Sequence, residues 1–257
     1  MTRIAILSAL AEEQHGLQAL LRQPQEIHHA GRDFWLGELQ GQRVVLALSR
    51  VGKVAAATTA TALIEHFGVT RIVFTGVAGG LKRGVQVGDV VVASGFVQHD
   101  MDASPIFPRY ELPLYGRSLI ACDEVLSALL FEAACTHLAR VEARPNTQDG
   151  VMRHEVHGGL IASGDRFVST ALESAALRDA LQSGGHEALA VEMEGAAVAQ
   201  VCLDYGVPFA AIRTISDRAD DQAHGDFAKF VREVAGRYAC AIIGQWLNLL
   251  SGKEQIL

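Results

Sequence analysis

Arg71-Ile72-Val73-Phe74-Thr75-Gly76-Val77-Ala78-Gly79-Gly80 decides how this 257-residue chain is read. Ile72 to Thr75 form an unbroken apolar and β-branched run, the mark of a strand covered on both faces in a largely parallel sheet. The small residues Gly76 to Gly80 then predict a loop at the strand's carboxyl end, where α/β sheets hold their ligands. Outward from this stretch the pattern repeats. Residues 3–9 read as a buried strand, with Leu17, Leu20 and Leu21 at helical spacing behind it. Residues 33–39 and 43–48 read as strands joined by a hairpin turn at Gln40-Gly41-Gln42. The alanine-rich residues 54–66 are good helix material. Further strands are expected at 85–93, 159–163, 188–192 and 208–217, and helices at 123–141 and 227–250, the last amphipathic.

Strands alternating with helices imply a three-layer α/β/α fold around a central mixed β-sheet. No internal repeat and no Pro/Gly/Ser linker divides the chain, so residues 1–257 are read as one domain. Residues 102–118 hold Pro105, Pro108 and Pro113, which forbid regular helix and predict a long ordered loop carrying Phe107, Tyr110 and Tyr115. Residues 143–154 form a polar excursion, expected to be an exposed insertion.

Composition narrows the function classes. With 49% hydrophobic and 20% charged residues the chain can build a sizeable core. A net charge of −7 with scattered basic residues argues against a nucleic-acid binder. Cys122, Cys135, Cys202 and Cys240 lie far apart with no CxxC pair, as expected of free thiols in a reducing cytosol. No signal-peptide pattern and no run of 18 apolar residues is present, so a cytoplasmic protein with no membrane span is expected. The histidines lack metal-ligand spacing, no GxGxxG follows the first strand, and neither a metal nor a cofactor is expected.

Four strands end in suggestive groups: Glu12 and Glu13; Gly76 to Gly80; Glu192, Met193 and Glu194; Ser216 and Asp217. Each has a bland reading. A glutamate beginning a helix is commonly a dipole partner. Ser-Asp is a common N-cap pair. Glycine clusters make ordinary turns, a methionine between glutamates can simply pack, and His99 with Asp100 reads as a surface pair. Acids at the ends of three apolar strands are harder to dismiss together, because a core buries an unpaired carboxylate only at considerable cost.

Taken together, the stretches Ile6-Leu7-Ser8-Ala9-Leu10-Ala11-Glu12-Glu13, Val51-Gly52-Lys53-Val54-Ala55-Ala56, Thr75-Gly76-Val77-Ala78-Gly79-Gly80, Val87-Gly88-Asp89-Val90-Val91, His99-Asp100, Ser163-Gly164-Asp165, Val191-Glu192-Met193-Glu194 and Arg213-Thr214-Ile215-Ser216-Asp217 resemble the purine nucleoside phosphorylase and uridine phosphorylase superfamily. Within it they look most like the 5′-methylthioadenosine/S-adenosylhomocysteine nucleosidases. They stand in family order from residue 4 to about residue 230.

The resemblance implies a nucleoside phosphorylase-like fold, hydrolysis of the N-glycosidic bond of adenine nucleosides, and a role for each matching residue. Asp217 would give or share a proton with N7 of the purine, oriented by Ser216. Glu13 would position and deprotonate the attacking water. Glu194 would hold the ribose hydroxyls, with Met193 against the sugar. Phe167 and Val168 would give the base a stacking face and backbone bonds. Val77, Ala78, Gly79 and Glu192 would complete the substrate pocket, and Phe107 would lie near the 5′ end. The resemblance also implies a homodimer in which the loop at 105–110 reaches the neighbouring active site. The chemistry is coherent on its own terms. Breaking the bond leaves positive charge on the ribose and negative charge on the base, which carboxylates and an acid at N7 would offset.

Departures from the family are Ala11 at a commonly acidic position, Arg50 at a common glycine, Val77 at a common serine, a different loop at 102–110 and the extra residues near 144–157. Phosphorylases of this fold carry an arginine just before the glycine loop, where this chain has Phe74, which cannot hold phosphate. Arg50 is the remaining candidate for that task. Nucleosidases acting on futalosine or adenosylhopane share the fold, and a non-catalytic nucleotide-binding domain has no need of all three acids.

Overall fold

The computed structural model describes residues 2–142 and 154–254. In chain order they form β1 (Ile4–Ser8), β2 (Arg22–His29), β3 (Arg32–Leu39), β4 (Gln42–Leu48), α1 (Lys53–Glu65), β5 (Arg71–Gly80), β6 (Val90–Gln98), β7 (Leu119–Ala121), α2 (Glu124–Glu142), β8 (Val156–Ser163), α3 (Ala171–Ser183), β9 (Ala188–Glu192), α4 (Gly195–Tyr205), β10 (Phe209–Asp217), α5 (Ala223–Phe230) and α6 (Gly236–Glu254).

Strand alternation sorts the core into two apolar layers. Ala5 and Leu7 of β1 face the side covered by α1 and α4, through Ala56, Ala60, Leu63, Val198 and Cys202. Ile4 and Ile6 face the opposite side, covered by α2 and α6 through Leu126, Leu130, Ile243 and Trp246. Each buried Leu, Ile or Val among them contributes about 1.5–3 kcal/mol relative to exposure. The indole N–H of Trp246 donates to Leu126 O at 3.2 Å, tying α6 to α2. The three-layer α/β/α arrangement with a mixed sheet is therefore present. No helix among the described residues is long and apolar enough to cross a membrane.

The expected loop at 76–80 is instead the second half of β5, because both edges find partners there. β10 runs parallel along one edge, from Phe209 opposite Ile72 to Asp217 opposite Gly79. The other edge carries β1 at Arg71 to Phe74 and then β9 at Gly79 and Gly80. Strands β5, β10, β6, β8 and β9 thereby close into a ring, and β1, β4, β3 and β2 extend from it. That closure brings the ends of β5, β9 and β10 together.

Other expectations change as well. The helix after β1 is absent: turns and one 3-10 turn at Gln18–Leu20 lead into β2, which pairs with β3. Leu17 and Leu21 are buried while Leu20 is exposed, so three leucines did not make a helical face. The strand expected at 85–93 begins only at Val90, because the Asp89 carboxylate holds a turn by accepting from Gln86 N at 2.9 Å. The closing helix begins earlier, at Ala223, and is interrupted by a π-helical turn at Val231–Ala235. Helix α3 was not anticipated, although Thr170 accepts from Glu173 N in the Thr-x-x-Glu pattern of a helix start. The excursion at 143–153 lies outside the described residues.

Candidate active site

A cavity of about 400 Å³ opens where β5, β9 and β10 end, beside the turn that follows β1. Glu13, Glu194 and Asp217 all line it and all are buried. Val77, Ala78, Gly79, Glu192, Met193, Ser216 and Phe167 line it too. Two residues expected there do not. Val168 packs with Tyr110 and Leu181 in a separate apolar cluster, and Phe107 is half-buried in the 102–118 loop outside the lining.

Glu13 is no helix-dipole partner, since no helix starts there. Its carboxylate folds back onto its own turn: Oε2 accepts from Ala9 N at 2.8 Å and Leu10 N at 2.9 Å, while Oε1 accepts from Val77 N at 3.0 Å. Burial nevertheless raises its pKa above the ordinary glutamate range, against those three donors and the charge of Arg213. Glu12, next to it, is exposed. Glycine at position 76 makes the approach possible, because a Cβ there would stand 2.8 Å from Glu13 Oε1.

Asp217 owes its position to a β-bulge. Ile215 pairs with Ala78 and Asp217 with Gly79, leaving Ser216 as the extra residue. Ser216 Oγ donates to Asp217 Oδ2 and Ala219 N donates to Oδ1, both at 2.8 Å. Burial raises the Asp217 pKa, and Asp220 and Asp226 add to the rise.

Glu194 precedes α4, and its Oε1 accepts from Gly52 N at 2.9 Å. Gly52 caps α1 at φ +97°, a conformation that favours glycine, and so turns its N–H toward the carboxylate. Burial first, and then the charge of Glu192, push the Glu194 pKa up to about 8. Both effects favour its protonated form.

Glu192 has a different task. Its oxygens accept from Ser163 Oγ, from Glu194 N at 3.1 Å, from Gly195 N and from Arg213 Nη2 at 2.7 Å. Arg213 also donates to Phe74 O and Ile212 O, and its guanidinium lies 4.1 Å from the centre of the Phe74 ring. Both members of the pair are buried, so removing either would strand a charge at about 3–5 kcal/mol. Arg213 thus braces Glu192 and the start of α4, not Asp217.

His99 is buried and not a surface residue, packed against Gly164 with Nε2 lacking a hydrogen-bond partner. Asp100 alone faces outward, accepting from Lys53 Nζ at 2.6 Å and Asp165 N at 2.9 Å. Lys53 N in turn donates to Asp165 Oδ1 at 2.7 Å. This network ties together the turns around residues 53, 100 and 165.

Sequence reasoning missed His224 and Phe227 of α5, Val51, Ala9 and Leu10, all of which line the cavity. The Phe227 ring meets Phe167 edge-on with centroids 5.7 Å apart. No local signal marks His224 and Phe227, which join the site only when α5 folds back over β10, whereas Ala9, Leu10 and Val51 stand in the stretches that carry the resemblance.

Residues 3–247 match the model of the phosphorylase superfamily. The chain is 37% identical over 234 residues to the 5′-methylthioadenosine/S-adenosylhomocysteine nucleosidase of Bacillus thuringiensis, covering 91% of this chain and 93% of the relative. It is similar to the solved enzyme of the same description from Neisseria meningitidis, in complex with methylthio-immucillin-A, at TM-score 0.85 and 31% identity over 97% of this chain and 100% of that one. It is also similar to the futalosine hydrolase of Helicobacter pylori, at TM-score 0.83 and 33% identity over 96% of this chain and 98% of the other.

Proposed function

The chain belongs to the phosphorylase superfamily and is a nucleosidase of the 5′-methylthioadenosine/S-adenosylhomocysteine type, and from that premise we propose how its residues divide the reaction. The observation that carries the reading is the convergence of Glu13, Glu194 and Asp217 on one buried cavity. Asp217, whose protonated form burial favours, protonates N7 and so removes the charge that would otherwise build up on the leaving adenine. Glu194 holds the ribose hydroxyls through its carboxyl oxygens. Met193 packs against the sugar, and Phe167 with Phe227 encloses the base. Glu13 takes the proton of the water that attacks C1′.

Water is the nucleophile in this reading. A phosphate near C1′ would bring about two negative charges beside Glu13 and Glu194, a desolvation cost that only arginines and amides could offset. Phe74 is instead the platform under Arg213, and Val77 N is committed to Glu13. The test is to incubate the protein with methylthioadenosine, S-adenosylhomocysteine, inosine and futalosine, with and without phosphate. Free adenine and a reducing sugar are expected from the first two, with no acceleration by phosphate. A sugar 1-phosphate in the mass spectrum would return the reading to a phosphorylase, and cleavage of futalosine alone would move it to that hydrolase.

The enzyme acts as a homodimer in which the loop at 105–110 reaches the neighbouring cavity. Ile106 is 81% exposed and Leu114 91% exposed in the single chain, apolar surface that a partner would cover. Sedimentation should give a dimer at micromolar concentration, and Ile106→Asp should weaken both dimer and turnover. A fully active monomer would contradict this.

A further inference from the structure

Beside the carboxylate cavity, and sharing Ala9, Leu10 and Val51 with it, lies a larger one of about 920 Å³. Where the first cavity is acidic, this one is lined by two cations, Arg32 and Arg50, together with Asp33, whose Oδ1 pairs with His28 Nδ1 at 2.7 Å. The two guanidinium groups are held by backbone carbonyls. Arg32 Nη1 donates to Ala30 O and Nη2 to Ala55 O, both at 3.2 Å, and Arg50 Nη2 donates to Gly31 O. The Arg32 Nε is enclosed with no hydrogen-bond partner. The two cations stand close enough that Arg50, after burial, lowers the Arg32 pKa. Arg50 also holds a left-handed backbone, φ +65°, that costs a non-glycine residue energy. Paired cations fixed by neutral oxygens attract an anion, and guanidinium groups bind carboxylates through charge-assisted hydrogen bonds.

The proposed pose says which anion reaches them. With the base at Asp217 and the ribose at Glu194, the sugar lies against Gly52, whose N–H holds the Glu194 carboxyl. In that pose the arm at C5′ would leave past Ala9, Leu10 and Val51, the residues common to both cavities. We propose that the Arg32–Arg50 cavity receives the charged end of a 5′ amino-acid tail, the carboxylate on the guanidinium groups and the ammonium toward Asp33. This deepens the nucleosidase reading and rests on it. It makes S-adenosylhomocysteine, whose tail carries both charges, the substrate the second cavity favours over methylthioadenosine, which carries only a methyl group. Free phosphate shares the anionic chemistry, so the test includes it.

The experiment compares kcat/KM of the full chain and of Arg50→Gln on S-adenosylhomocysteine, methylthioadenosine and the decarboxylated tail compound 5′-(3-aminopropylthio)adenosine. In Arg50→Gln the ratio of kcat/KM for S-adenosylhomocysteine to that for methylthioadenosine should fall about tenfold, through KM, the equivalent of ~1.4 kcal/mol. Arg50→Gly, which relieves the backbone, should show the same fall. In the unaltered protein the decarboxylated compound should lose a similar factor against S-adenosylhomocysteine. Added phosphate should raise KM for S-adenosylhomocysteine far more than for methylthioadenosine. A ratio within twofold of the unaltered protein in both variants would overturn the proposal while leaving the nucleosidase reading intact. Phosphate that speeds base release and enters the sugar would overturn it too, by making the arginines a nucleophile clamp. No release of adenine from any of the three compounds would instead overturn the nucleosidase reading beneath it.

Discussion

Asp217→Asn is expected to lower kcat by about 10²–10⁴-fold, the usual worth of a positioned acid, while the protein stays folded. The asparagine is nearly the same shape. Its oxygen can keep the bond from Ala219 N, and its amide can donate to Ser216 Oγ, whose hydroxyl is free to turn. Only the proton is lost. The pH dependence separates this from a packing effect. Burial raises the Asp217 pKa, so the folded protein keeps the proton at a pH where the unfolded chain has released it. Rate therefore falls on the alkaline side as that proton leaves, and the same titration removes stability as pH rises through the folded value. Glu194, at about 8, titrates in the same direction. In the variant the Asp217 part of both effects vanishes, so its melting temperature above neutral pH should match or exceed that of the unaltered protein. Adenine release and thermal melts measured across pH check this together. Near-normal turnover would remove Asp217 from the role of acid.

The acids were legible in the sequence because burial of a carboxylate is costly, so apolar strands ending in acids stand out. The strand of residues 208–217 and the paired layers around Ile4 to Leu7 were legible for a related reason: hydrophobic runs set burial directly. Ring closure was not. Gly76 to Gly80 are small enough to suit a turn or a strand, and only the arrival of β9 and β10 from distant sequence decides between them. Glu192 and Glu194 look alike in Val191-Glu192-Met193-Glu194, and both line the cavity, yet one is saturated by Arg213 and the start of α4 while the other accepts from Gly52 N. That difference depends on partners 20 or more residues away, such as Arg213, Ser163 and Gly52. His224 and Phe227 were missed for the same reason.

Glu13→Gln carries the second large effect, and it should act on rate and stability at once. As the base, Glu13 must be ionised to take a proton from water. Burial holds its pKa above the ordinary range, so rate should fall as pH drops through that raised value, the opposite limb from Asp217. Glutamine is neutral and cannot take the proton, so turnover should drop by about 10²–10⁴-fold with that acid limb abolished. The structural cost arises because both oxygens of Glu13 accept backbone N–H groups, Ala9 and Leu10 on one side and Val77 on the other. Glutamine has a single acceptor oxygen, so its amide must face N–H donors on one side. Each buried donor left unmatched costs about 1–3 kcal/mol. Glu194→Gln faces only one such donor, Gly52 N, and its oxygen can keep it, so that variant should lose ribose binding with far less stability. The comparison is made by measuring activity per folded molecule, with the folded fraction taken from thermal melts at the assay temperature. A Glu13→Gln protein that is less stable but equally active per folded molecule would reduce Glu13 to a brace for the turn after β1, and the water would need another base.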